Sequence, residues 1–125
     1  MTDFGCIVLT LLMESQNQGY NTNLSVANVI LDRSVEEGES ACKVITEPGQ
    51  FSWYPRRSKL TAFKPKNAME TKAFRLALRV TIAALKGDRA KGMRGSKFKF
   101  FNTKQLGKRF KTKNIMVASG DLLFY

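Results

Sequence analysis

Apolar residues recur near the start of the chain at Phe4, Ile7, Val8, Leu11 and Leu12. That is the i, i+3, i+4, i+7, i+8 spacing of one helical face, with Thr2 or Asp3 in front as a cap. Residues 15–23 are polar, contain Gly19, and read as a loop. A second helix is predicted to start at Thr22 or Asn23 and run to about Glu37. Leu24, Ala27, Ile30 and Leu31 form its apolar stripe, and Gly38 is its stop. A short helix over Ala41–Ile45 and a turn at Glu47-Pro48-Gly49 follow. Residues 54–66, with Pro55 and Pro65, are irregular and basic. Asn67-Ala68-Met69-Glu70 has the form of a capping box. It opens the longest predicted helix, through Phe74, Leu78, Ile82 and Leu85, ended by Gly87. Residues 88–95 read as a flexible basic loop. Lys97, Phe98, Lys99 and Phe100 alternate with the period of a strand. Residues 114–118 and 122–125 flank Ser119-Gly120-Asp121 as a closing hairpin. The pattern predicts a mainly α chain with a small β-sheet or hairpin near the C-terminus.

At 125 residues the chain fits a single domain, 1–125, with a modest core. Residues 4–13 are apolar like a signal-peptide core, but Asp3 stands where a basic segment would precede them, and no small-residue cleavage site follows. The run is too short to span a bilayer. A buried helix is the expectation, with no signal peptide evident and no transmembrane segment.

Charge sharpens the picture. The net charge is +11, yet residues 1–53 hold seven acids against Arg33 and Lys43, a balance of −5. Residues 54–125 therefore carry +16. Such asymmetry implies a polyanionic partner: nucleic acid, an anionic membrane face or an anionic cell envelope. The competing reading is a solvated basic surface that only confers solubility. Lys97 and Lys99 between Phe98 and Phe100 resemble a nucleic-acid stacking site, but a half-buried strand gives the same alternation, and that reading is preferred.

The chain has two cysteines and no histidine. Cys6 and Cys42 each lie among apolar residues and read as free buried thiols. The missing histidine excludes Ser-His-Asp and Cys-His catalysis and leaves Ser52 without a base. No metal site and no cofactor are expected. What remains is a lone carboxylate, Glu14, at the end of the first apolar helix. The negative end of the helix dipole disfavours an anion there, which suits a proton donor.

Several segments together resemble the SleB/CwlJ-type cell wall hydrolases, which include spore-cortex-lytic enzymes and phage relatives. In that family a Glu in an EARGE-like block precedes a helix ending AVILNR. Here Glu14 precedes, at the same spacing, VANVILDR, which ends at Arg33. Cys42-Lys43-Val44-Ile45 fits the next family segment, and the family's QFSW is intact as Gln50-Phe51-Ser52-Trp53. Gly95 to Phe101 and Phe124-Tyr125 fit its Gly-led aromatic strand and its terminal strand. The EARGE-like block itself departs, reading Glu14-Ser15-Gln16-Asn17-Gln18, and the histidine common in the Gly-led strand is missing.

The resemblance implies a lysozyme or lytic-transglycosylase-like core that cleaves peptidoglycan glycan strands. It assigns Glu14 the role of general acid and then base, and gives Gln50, Phe51, Ser52 and Trp53 the glycan groove. A hydrolase needs a second carboxylate. Glu36, Glu37, Glu39 and Glu47 sit in polar stretches and read as surface charges, with Glu47 the first suspect among them. A lone Glu agrees instead with a lytic transglycosylase, in which the muramoyl 6-hydroxyl attacks and a 1,6-anhydro product forms. Peptidoglycan and the anionic envelope are then the partners, with nucleic acid bound only non-specifically by a monomer. Such an enzyme, made in the cytoplasm, reaches the wall through a membrane pore or inside a virion, as in phage lysis. The rival readings are a non-enzymatic cationic nucleic-acid binder and a virion structural protein on the same scaffold.

Overall fold

Thr2 starts the first helix, its Oγ1 accepting from the Gly5 amide at 3.1 Å. In the computed structural model, which describes residues 2–47, 65–95, 101–103 and 117–124, this helix α1 spans Asp3–Ser15. Every residue from Gly5 to Leu12 is buried, Leu9 and Thr10 included. A helix covered on all sides belongs at the centre of a fold. α1 accordingly packs against each of the other helices among the described residues: α2 (Tyr20–Glu37), α3 (Ala41–Ile45) and α4 (Ala68–Leu85). Ile7, Leu11 and Leu12 each contribute about 1.5–3 kcal/mol by burial. Thr10 returns its hydroxyl hydrogen to the Cys6 carbonyl at 2.8 Å, so its burial leaves no donor unsatisfied.

α2 begins at Tyr20, earlier than the pattern predicts. The Asn23 side chain does not cap an amide. It donates to the carbonyls of Gln18 and Gly19 at 3.1 and 2.9 Å, tightening the turn and letting the helix begin upstream. Gly38 closes α2 in the left-handed region at φ 64°, where a Cβ would be strained. α3 is capped by the Ser40 hydroxyl, which accepts from the Lys43 amide. In α4 the Asn67 side chain accepts from the Glu70 amide at 2.9 Å. The Glu70 carboxylate reaches the Lys66 amide, one residue before the cap. α2 and α4 are equally long at 18 residues each.

The expectation of free thiols is overturned. Cys6 on α1 and Cys42 on α3 form a disulfide, their Cα atoms 5.4 Å apart. The apolar surroundings that suggested buried thiols are the α1–α3 contact that brings the two sulfurs together. Closing a loop of 36 residues stabilises the fold by about 4 kcal/mol on the chain-entropy account.

The segment after α4 is held rather than free. One face of α2, at Asn21, Asn28 and Asp32, grips it. The Lys91 amide donates to Asn21 Oδ1 at 2.7 Å and the Ala90 amide to Asn28 Oδ1 at 2.8 Å. Asn28 Nδ2 donates to the Asp88 carbonyl at 3.0 Å. Ala90 and Met93 are buried as a result.

Three short strands complete the described residues: β1 (Phe101–Thr103), β2 (Val117–Ser119) and β3 (Leu122–Phe124). They form an antiparallel sheet in the order β1-β3-β2, with Phe101 opposite Phe124 and Ser119 opposite Leu122. Phe124 is buried in the core and lies 5.7 Å from the Phe101 ring, centroid to centroid. The Lys97-to-Phe100 alternation lies outside the described residues.

Candidate active site

Glu14 occupies the penultimate position of α1 and is half-buried. Its neighbour Ser15 fixes that end of the helix. Ser15 is buried and donates from Oγ to Asn23 Oδ1 at 2.7 Å, while Asn23 holds the Gln18 and Gly19 carbonyls. One side chain of α2 thus ties together the last residue of α1 and the turn that follows it.

The β2–β3 turn closes on the same region. Gln18 Nε2 donates to Asp121 Oδ2 and Gln18 Oε1 accepts from the Asp121 amide, both at 3.2 Å. Thr22 Oγ1 lies 2.8 Å from Ser119 Oγ, and Asn21 Nδ2 donates to that same hydroxyl at 3.1 Å. Gly120, at φ 56°, is in the left-handed region that strains any other residue, and a Cβ there would have to displace the Gln18 and Thr22 side-chain oxygens.

The second acids lie elsewhere. Glu36, Glu37 and Glu39 are exposed. Glu47 accepts from Arg33 at 2.6 Å, and Arg33 also faces Glu37 at 3.6 Å. Arg33 lies ten residues along α2 from Asn23, about 15 Å of helix axis. Retaining and inverting glycosidases place their carboxyl pairs about 5–9.5 Å apart. Glu47 is thus tied to the opposite end of α2 from the one that holds Ser15, the neighbour of Glu14. A hydrogen bond that the protonated Glu47 carboxyl donates to Glu37, then partial burial, push Glu47 above its usual range, against the pull of Arg33.

Asp121 is the acid that sequence reasoning missed. The fold brings it to the α1–α2 turn through a contact spanning 103 residues. Ser15 and Asn23 were missed as well, one read as loop and the other as a helix start. Their only signal in sequence is a hydroxyl residue ending an apolar helix with an amide eight residues on. Gln50, Phe51, Ser52 and Trp53, the expected groove residues, lie outside the described residues.

Two cavities flank this end of the molecule. One, of about 710 Å³, opens between Gln16, Asn17 and Gln18 on one side and α4 on the other. The second, of about 580 Å³, lies between Tyr20, Asn21 and Leu24 and the segment from Gly87 to Arg94. Glu14 lines neither. Among the described residues no three His, Cys, Asp or Glu side chains are grouped to hold a metal ion. No helix there is long and apolar enough to cross a membrane.

The described residues define a mainly helical domain, with half-buried Glu14 at the end of its central helix. Comparison with known proteins is more specific. The profile of the Cell Wall Hydrolase family matches residues 17–125, and the chain belongs to that family, the SleB/CwlJ-type cell wall hydrolases. The matched span begins just beyond Glu14 and does not include that residue. No curated protein and no solved structure matches the chain.

Proposed function

We propose that this cell wall hydrolase cleaves peptidoglycan glycan strands as a lytic transglycosylase, with Glu14 as its acid and base. The observation that carries the reading is the position of Glu14 on α1, with Glu47 and Glu37 at the far end of α2. The Glu14 carboxyl protonates the oxygen of the scissile glycosidic bond, and the C1–O bond breaks. The resulting carboxylate takes the proton from the muramoyl 6-hydroxyl as that oxygen bonds to C1. No water is consumed, and the product is a 1,6-anhydro-muramoyl end.

Gln50 and Ser52 are assigned hydrogen bonds to the sugar, and Phe51 and Trp53 stacking on its faces. The basic half holds the anionic envelope. The Cys6–Cys42 disulfide supports action in an oxidising compartment, since such bridges persist outside the reducing cytosol. Delivery to the wall through a pore or in a virion, as in phage lysis, agrees with that.

The test is a zymogram on purified peptidoglycan with Glu14→Gln beside wild type. Loss of an acid–base group removes activity on the order of 100-fold or more. Equal clearing by the two proteins overturns the assignment.

A further inference from the structure

The cavity between the α1–α2 turn and α4 has a wall of mixed character. Lys72, Arg75 and Arg79 line it. Their spacings of three and four residues put them on one helix face, spread over about 10 Å of axis. Among the described residues none of the three forms an ion pair; the pairs there use Arg33 and Arg89. Arg79 lies 5.9 Å over the Tyr20 ring, which steadies it at one end of the row. Met69 and Leu76 line the cavity between and beside the cations. Its opposite wall starts at Gln16, two residues past Glu14.

A ligand that fits this wall is extended and carries several anionic groups with short alkyl groups among them. It is also tethered to whatever Glu14 acts on. The stem peptides of peptidoglycan meet each condition. They hang from the muramoyl residues of the strand, carry free carboxylates, and have alanyl methyl groups between them. We propose that this groove is a stem-peptide subsite in which Lys72, Arg75 and Arg79 receive the peptide carboxylates and Met69 and Leu76 its methyl groups. The proposal rests on the glycan-cleaving reading of Glu14 and adds that the enzyme recognises the peptide-bearing strand rather than bare glycan.

The test separates binding from cleavage. Glu14→Gln protein is titrated against a fluorescein-labelled disaccharide-tetrapeptide, the same compound with its carboxylates amidated, the peptide-free disaccharide, and a labelled DNA duplex. The titrations are repeated with Lys72→Gln/Arg75→Gln added. Both residues are exposed, so the fold tolerates the change, and circular dichroism checks it. Loss of two charge-assisted contacts is expected to weaken the tetrapeptide compound about tenfold or more. Amidation should cost wild-type groove binding a similar factor, and the peptide-free disaccharide should not distinguish the proteins. No binding of the tetrapeptide compound, equal binding by the double variant, or indifference to amidation overturns the subsite. So does a loss confined to the DNA duplex, which would mark the row as a phosphate-binding face. Tetrapeptide binding that needs Lys72 and Arg75, in a wild-type protein that releases no glycan fragments, overturns the cleavage reading and leaves the subsite standing.

Discussion

Arg89 grips Asp32 with both ends of its guanidinium, Nη1 to Oδ1 at 2.7 Å and Nη2 to Oδ2 at 2.8 Å. Asp32 is only 8% exposed, and the hydrogen bond it accepts holds the Arg89 guanidinium more firmly protonated. Arg89 also donates from Nε to the Met93 carbonyl at 3.0 Å. The pair therefore fastens the segment after α4 onto the face of α2, beside the contacts made by Asn21 and Asn28.

Asp32→Ala removes the carboxylate that Arg89 grips and releases this clamp. The expected loss is about 3 kcal/mol, the low end of the range for breaking a buried pair, because Arg89 is partly exposed. Urea unfolding measures it. Arg89→Met/Asp32→Leu should recover part of the loss, since removing both charges leaves neither desolvated and unpaired. An unchanged midpoint for Asp32→Ala would show that the clamp contributes nothing.

The disulfide gives a second stability prediction. Cys6→Ser/Cys42→Ser should unfold about 4 kcal/mol more easily than the oxidised protein, as the freed chain regains the entropy of a 36-residue loop. Wild type under strong reductant should approach the same midpoint. Coincident urea curves for oxidised and reduced protein would contradict the bridge.

The helices were legible because their signals are local. The apolar spacing of α1, Gly38 after α2 and the Asn67 cap of α4 each act within a turn or two of helix. What escaped depends on contacts between distant segments. Cys6 and Cys42 meet only because α1 packs on α3. Asn21, Asn28 and Asp32 look like a solvated polar face until the segment from residue 88 folds onto them. The place of Glu14 at the end of α1 was legible from the apolar spacing. Its bracing by Ser15 and Asn23, and the approach of Asp121, were not, since neither leaves a periodic trace. Nor was the tie of Glu47 to Arg33, which in sequence stands fourteen residues away.

The Glu37–Glu47 contact makes stability depend on pH. The folded state holds the Glu47 proton to higher pH than the unfolded chain, where the ordinary value is 4.5. Between those two points the native state binds more protons, so stability falls as pH rises through the window. The hydrogen bond that protonated Glu47 donates to Glu37 is the largest cause of the shift. Glu37→Gln can donate to an ionised Glu47, so the fall from about pH 4.5 toward neutrality should flatten. Thermal melts at closely spaced pH values report this. Parallel profiles for variant and wild type would show that the two carboxyls do not share a proton.

Product chemistry decides between one carboxylate and two. A transglycosylase step returns the proton from the 6-hydroxyl to Glu14 and adds no water, so muropeptides end in 1,6-anhydro-muramic acid. Hydrolysis adds a water and leaves reducing ends, about 18 mass units heavier, and it needs a second carboxylate within reach of the attacking water. The fold puts Glu47 and Glu37 at the far end of α2 and leaves Asp121 beside the α1–α2 turn, held by Gln18. Mass spectrometry of a limit digest should therefore show anhydro products, and Asp121→Asn should leave their yield within about threefold of wild type, as expected for a residue that takes no proton. A digest dominated by reducing ends, abolished by Asp121→Asn as well as by Glu14→Gln, would instead make the enzyme a two-carboxylate hydrolase with Asp121 as its base.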